Sequence, residues 1–262
     1  MTNTTAQPRV RPSSALAWAA LVAAVVQVVT PAVQAFAGLG AAPSGQGDEL
    51  LITPEGYTFS IWSLIYLLTL AYGIVVLATR TTGTAAPDRL LRDLVLLYAG
   101  AALWIVVAAL EQSWATALVL VAMVVIGVDA ARVAARPAPD DGTPSWITVL
   151  ARVTTGVYAG WVTAAAVLNV CSALVDAGWL DGDSVGWQLA ALVFAGVLAS
   201  AISVLLGGSW PYAAAIVWAL IGVMVAVRGV DAALLWAAAA AAVLVVVATA
   251  GRRLAGRGRG PS

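Results

Sequence analysis

Tryptophan is the residue through which this sequence could do most of its chemistry: there are eleven, with three phenylalanines and no histidine. An indole offers a broad apolar face and a single N–H donor, which suits it to flat hydrophobic molecules. What is missing narrows the field. Without histidine there is no imidazole base, no imidazole ligand for a metal and no histidine-ligated haem. Lysine is also absent and all thirteen basic residues are arginine, so no Schiff base can form and a retinal protein is excluded. The single cysteine, Cys171, can make neither an internal disulfide nor a thiolate cage. Its flank, Asn169-Val170-Cys171-Ser172-Ala173, reads as a buried structural thiol. Acid–base and metal-assisted hydrolysis are disfavoured on these grounds, no catalytic residue is assigned, and no metal site or bound cofactor is expected.

Ionisable groups inside apolar runs are the next suspects, because each costs at least ~2.5–3.5 kcal/mol to bury in a bilayer. Glu111, Asp129 and Arg152 qualify, all near the ends of their runs. Asp129 and Arg132 are spaced i, i+3, which reads as a local surface pair on one helix. Glu111, beside Gln112, could still touch a ligand. No chain of ionisable groups crosses the runs, which argues against a proton pump or an ion-coupled antiporter. Net charge is zero, so no nucleic-acid partner is implied.

The tryptophans divide into two groups. Trp114, Trp146, Trp179, Trp187 and Trp210 stand at the ends of apolar runs, as an interfacial belt would. Trp62, Trp104, Trp161 and Trp218 lie inside runs, where an indole needs a neighbouring helix or a cavity for its N–H. At ~1.5 Å per residue, Trp62 lies roughly 9 Å and Trp104 roughly 12 Å below the outer ends of their runs. Asn169 has a similar depth, and Trp161 is two turns deeper. A turn of ~100° per residue puts Tyr158, Trp161, Ala165, Asn169 and Ser172 on one stripe, and Phe59, Trp62, Ser63, Tyr66 and Gly73 on another. Two such stripes make either a pocket for a flat ligand or a helix-packing face, and spacing alone favours packing.

The elements that must position these residues are membrane-spanning helices. Hydrophobic residues make up 62% of the 262 and charged residues 10%, with a mean hydropathy of +0.95; a soluble domain carries ~25% charge. The apolar runs are continuous rather than alternating, which selects an all-α transmembrane bundle over a β-barrel. Eight spans are predicted, at 15–37, 56–78, 92–112, 115–135, 148–175, 187–206, 211–228 and 231–250, separated by breakers such as Gly38 to Gly47, Pro87, Pro137 to Pro144 and Gly207-Gly208. The last pair is the weakest, because Arg228-Gly229-Val230-Asp231 leaves only a tight turn. With both termini inside, twelve of the thirteen arginines are cytoplasmic and only Arg228 is external. Arg9 and Arg11 followed by the run from Ala15 to Val29, Pro31 and Val33-Gln34-Ala35 also permit a cleaved signal peptide, which would leave seven spans. The run reaches Ala37, long enough to span, and this favours a retained helix.

Between the first two spans, Thr53-Pro54-Glu55-Gly56 reads as a helix start, with Thr53 as cap and Glu55 at the positive end of the dipole. Thr53-Pro54-Glu55-Gly56-Tyr57-Thr58-Phe59-Ser60-Ile61-Trp62-Ser63-Leu64-Ile65-Tyr66 resembles the TPPGWVFGPVWxxLY motif of the TspO/MBR family, the tryptophan-rich sensory or translocator proteins. Tyr158-Ala159-Gly160-Trp161-Val162-Thr163, followed by Ala165, Leu168 and Asn169, is similar to that family's YLAWVxFATxLN. Trp104 falls where the family's third helix carries N-x-x-W. The chain departs from the pattern at Glu55, Tyr57 and Ala101, in a one-residue contraction before Trp62, and in lacking the aromatic-then-Arg ending associated with sterols. Sterol binding is therefore not expected.

The resemblance implies a five-helix unit over 15–176, flanked by a cytoplasmic tail 1–14, three additional helices over 177–251 and an Arg/Gly-rich tail 252–262. It implies ligand-binding positions at Trp62, Trp104, Trp161 and Asn169, to which the stripes add Tyr158, Phe59 and Tyr66, and it raises the pocket above plain packing. The expected protein is a multi-pass sensor in a bacterial plasma membrane, surrounded by the lipid bilayer. Its ligand would be a flat hydrophobic small molecule such as a porphyrin or other tetrapyrrole, and a homodimer is the implied assembly. A transporter of a lipophilic small molecule is the alternative, with Gly207-Gly208-Ser209 as its hinge. Porphyrin photodegradation is a third reading that the resemblance allows.

Overall fold

The computed structural model describes residues 11–38, 50–136 and 144–257. Among them are eight helices and no strand: α1 (Ser14–Ala37), α2 (Ile61–Thr79), α3 (Pro87–Ala109), α4 (Ser113–Ala134), α5 (Ser145–Asp176), α6 (Val185–Leu205), α7 (Trp210–Ala226) and α8 (Ala232–Arg257). Each predicted run corresponds to one helix. Seven helices, counting α2 with the turn before it, are long and apolar enough to cross a membrane. The exception is α7, whose 17 residues span about 26 Å against a hydrocarbon core of about 30 Å. It nonetheless connects the two ends of the bundle, with Pro211 against Gly156 at one and Gly222 against Thr58 at the other. The lipid environment is written on the outer faces, where Trp18, Leu67, Ile74, Leu118, Val125, Phe194 and Val247 are exposed on successive helices.

Two helix starts differ from the sequence expectation. The helix at α3 begins at Pro87 rather than 92, because Pro87 sits in the first turn and Asp88 follows it there. The Asp88 carboxylate also accepts the backbone N–H of Ser13 at 2.7 Å, which ties α1 to α3. As a result Arg89 belongs to the helix. The second helix begins at Gly56, as expected, but as a 3-10 turn and without Thr53 as its cap. The Thr53 N–H closes a turn onto the Leu50 carbonyl at 2.9 Å, and the chain enters α2 through a 3-10 turn, Gly56–Ser60, with no side-chain cap.

Charges are segregated as expected. Arg80, Arg89, Arg92, Arg132, Arg136, Arg152, Arg252 and Arg253 lie at one end of the bundle and Arg228 at the other. Arg152 donates to the Ala134 and Ala135 carbonyls at 3.2 and 2.9 Å, closing the C-terminus of α4. Asp129 does not pair along its own helix with Arg132. It takes a two-pronged contact from Arg89 of α3, at 2.8 and 3.0 Å. Gly207 and Gly208 form a turn with φ of 69° and 79°, and Gly208 is packed closely against α8. A Cβ at Gly208 would lie 2.6 Å from both the Thr249 carbonyl and the Arg253 side chain of α8. Glu111 is exposed in the α3–α4 turn, at a φ of 56°. Arg9, Asp48, Glu49 and Arg259, with the stretches 1–10, 39–49, 137–143 and 258–262, lie outside the described residues.

Helix α5 is the axis of the fold. Of its most apolar window 56% is buried, against 22% for α1 and 28% for α8. One face of α5 joins a core formed mainly by α1 to α4, and the other joins a core formed with α6, α7 and α8. Its contact with α7 is made through Gly156 and Gly160, four residues apart. A Cβ at Gly160 would stand 2.5 Å from the Tyr212 carbonyl, and one at Gly156 2.8 Å from Pro211. This is the small-xxx-small device that brings membrane helices together. The first helix is a packed member of the bundle, burying Ala17, Ala20, Ala24 and Gln27. Cys171 is buried and free.

Candidate functional site

The 3-10 turn, α2, α3 and α5 together assemble a cluster of rings around Trp62. Trp62 and Tyr66 are one helical turn apart on α2, which sets their rings side by side at 5.5 Å. From α3, Trp104 stacks on Trp62 at 5.8 Å with 24° between planes. From α5, Tyr158 and Trp161 present their edges to Trp62 at 6.1 and 6.3 Å. Phe59, in the 3-10 turn, meets Trp161 edge to face at 5.7 Å. These separations are those of rings in direct contact. Six of the seven residues expected at the site are therefore brought together: Phe59, Trp62, Tyr66, Trp104, Tyr158 and Trp161.

The seventh, Asn169, is not among them. It stands about 12 Å further along α5 from Trp161, half-buried, and its amide donates to the Ala165 carbonyl of its own helix at 2.9 Å. Ser63, from the same predicted stripe as Trp62, faces outward and is exposed. Its neighbour Trp62 and the rings of Phe59 and Tyr66 are half-buried, whereas Trp104, Trp161 and Tyr158 are buried.

Behind the rings runs a buried polar chain that sequence reasoning did not pick out. The Tyr158 hydroxyl donates to Gln27 Oε1 of α1 at 2.8 Å. Gln27 Nε2 donates to the Thr69 hydroxyl of α2 at 2.9 Å, and Thr69 donates to the Tyr66 carbonyl at 3.0 Å. Tyr98 of α3 packs on Tyr158 at 5.7 Å. The available signal was a lone glutamine inside the run Ala23-Ala24-Val25-Val26-Gln27-Val28-Val29, a costly residue at that depth unless partnered.

Two donors in this cluster stand out chemically. The indole N–H groups of Trp104 and Trp161 are buried and have no hydrogen-bond partner among the described residues, and the Tyr98 hydroxyl shares that condition. A buried donor without an acceptor costs about 1–3 kcal/mol, a cost that an acceptor brought to these groups would offset. Trp218, the fourth indole inside a run, is satisfied instead. It donates to the Thr58 carbonyl at 2.8 Å and meets Tyr57 edge to face at 5.7 Å. The end-of-run tryptophans behave as a belt, with Trp114, Trp146, Trp179 and Trp210 exposed and Trp187 donating to the Asp181 carbonyl.

On the opposite face of α5, an apolar groove opens between α5, α6 and α7 beneath Ile52 and Pro54. Counting its open mouth it holds about 560 Å³ and is lined by Thr163, Val167, Leu168, Ala195 and Ile216 among others. Its one lining hydroxyl, Thr163, is spent on the Ala159 carbonyl at 2.7 Å.

Compared with known proteins, the chain matches the family model described as TSPO-like protein over residues 13–251, a span that takes in all but the last few residues of α8. No curated protein and no solved structure matches it.

Proposed function

Because this chain belongs to the TSPO-like protein family, we propose that it is a membrane sensor for a flat hydrophobic ligand of the tetrapyrrole type, bound at the Trp62 cluster. The observation that carries this reading is the pair of unpartnered indole N–H groups, on Trp104 and Trp161. The Trp62–Trp104 stack is already closed at 5.8 Å, so the ligand does not slide between those rings. It lies against the half-buried faces of Phe59, Trp62 and Tyr66, and a carbonyl or carboxylate on it accepts from the two indoles. Tyr158 orients the wall rather than the ligand, because its hydroxyl is held by Gln27. Asn169 meets only the far edge of a large ligand. The test is equilibrium titration of the purified protein with protoporphyrin IX, in which saturable binding at one site supports the reading and purely linear, detergent-like partitioning removes it.

A second reading, transport of a lipophilic solute, draws on the apolar groove between α5, α6 and α7. Sealed vesicles separate the two: flux of a lipophilic dye that requires the protein supports transport, and a sensor shows none.

A further inference from the structure

The segment from Leu50 to Ser60, which carries Phe59 into the ring cluster, runs directly into α2 and is fastened from the other side by α6 and α7, helices far from it in sequence. Three hydrogen bonds do this. The Ile52 N–H donates to Gln188 Oε1 of α6 at 3.1 Å. The Glu55 N–H donates to the Gly222 carbonyl of α7 at 3.1 Å. The indole N–H of Trp218, one turn before Gly222 on α7, donates to the Thr58 carbonyl at 2.8 Å. Tyr57 adds an edge-to-face contact on Trp218 at 86°.

The fit at Gly222 is the closest of these contacts. A Cβ there would stand 2.1 Å from Thr58 Oγ1, 2.8 Å from its Cγ2 and 2.9 Å from its Cβ. Thr58 is wholly buried, with its hydroxyl unpartnered. Glycine at 222 is therefore a notch cut to the shape of one side chain. The residue after Thr58 is Phe59, in contact with Trp161, and three residues further is Trp62, the hub of the cluster. With Thr58 held on one side and Phe59 on the other, the position of the 3-10 turn is set by α7.

We propose that Trp218 and Gly222 are positioning residues of the ligand site: they clamp the 52–60 strap, so that α7, with Gln188 of α6, sets how the Trp62 cluster is walled and how tightly it holds its ligand. This rests on the ligand-site reading above for its last clause only. It gives α7 a task that fits its shape, since a helix too short to be a comfortable span is packed onto α5 through Gly156 and Gly160 and onto the strap through Gly222.

The test uses the full chain in lipid nanodiscs, without ligand first. Amide hydrogen exchange of residues 51–60 is compared in wild type, Trp218→Phe, Gly222→Ala and the pair Gly222→Ala/Thr58→Ala. Trp218→Phe keeps a ring against Tyr57 while losing the N–H and part of the indole's bulk, and it introduces no clash, so it guards against a fold lost at Gly222. Exchange in 51–60 should rise by about tenfold in the two single variants while α3 is unchanged. The near-UV circular dichroism of the ring cluster should weaken with it, and Thr58→Ala should restore both toward wild type in the Gly222→Ala background. Protoporphyrin IX affinity should fall about fivefold in the single variants. Unchanged exchange and an unchanged near-UV signal in both single variants overturn the clamp. Raised exchange with unaltered porphyrin affinity, where Trp161→Phe does weaken binding, overturns the positioning role and leaves the ligand site standing. A wild-type protein that takes up no protoporphyrin removes the ligand-site reading, and the exchange and near-UV results still decide the clamp.

Discussion

Tyr158 and Gln27, 131 residues apart, share a buried hydrogen bond of 2.8 Å that joins the first helix to the central one. Gln27 is 1% exposed and spends its amide on Thr69 as well. Replacing it leaves the Tyr158 hydroxyl buried without a partner, while Thr69 keeps its bond to the Tyr66 carbonyl. Gln27→Leu should destabilise the protein by about 1–3 kcal/mol, read as a lower midpoint in thermal unfolding. Tyr158→Phe added to it should cost less than the sum of the two single changes, because the second removes a group the first has orphaned. Additive losses would place the two side chains in separate networks.

The contact of α5 with α7 makes a second prediction. Gly160→Ala forces a methyl to 2.5 Å from the Tyr212 carbonyl, so the helices must separate, at a cost of about 1–3 kcal/mol. Gly186→Ala is the control, because nothing lies within 4 Å of its Cβ position. A thermal midpoint lowered by the first and untouched by the second is the expected pair of results. Equal effects would deny the close approach.

The existence of the helices was legible in the sequence because a bilayer enforces unbroken apolar runs, and each run became a helix. The ring cluster was legible too, through the four-residue step from Trp62 to Tyr66 and the three-residue step from Tyr158 to Trp161. Partners across helices were not. Periodicity assigns a residue to a face, and it does not say which helix lies opposite. Asp129 met an arginine three residues away on paper and Arg89 in the fold. Asn169 shared a stripe with Trp161 yet turned back on its own backbone. The tie between Thr58 and Trp218 spans 160 residues, and no local pattern marks it. Gly156 and Gly160 were a readable signal of the α5–α7 contact, since glycines four apart in an apolar helix are a packing motif.

The pairing of Asp129 is open to a direct check. The side chains of Arg89 and Asp129 are 52% and 32% exposed, so screening keeps their coupling to about 0.2–1 kcal/mol. A double-mutant cycle with Arg89→Ala and Asp129→Ala should return a coupling in that range. The same cycle with Arg132→Ala in place of Arg89→Ala should return none, and the reverse ranking would restore the pair along α4.

The indole N–H groups of Trp104 and Trp161 have no acceptor among the described residues. Trp104→Phe and Trp161→Phe each keep a ring in place and remove one donor. Titration of the wild type and both variants with protoporphyrin IX, followed by quenching of tryptophan fluorescence, measures what those donors contribute. Binding should weaken by about tenfold in each variant, the equivalent of ~1.4 kcal/mol for a lost hydrogen bond, while each variant stays folded, its thermal midpoint lowered only by the smaller buried ring. Quenching curves that superimpose on the wild type, once corrected for the missing fluorophore, would contradict a ligand site at the Trp62 cluster.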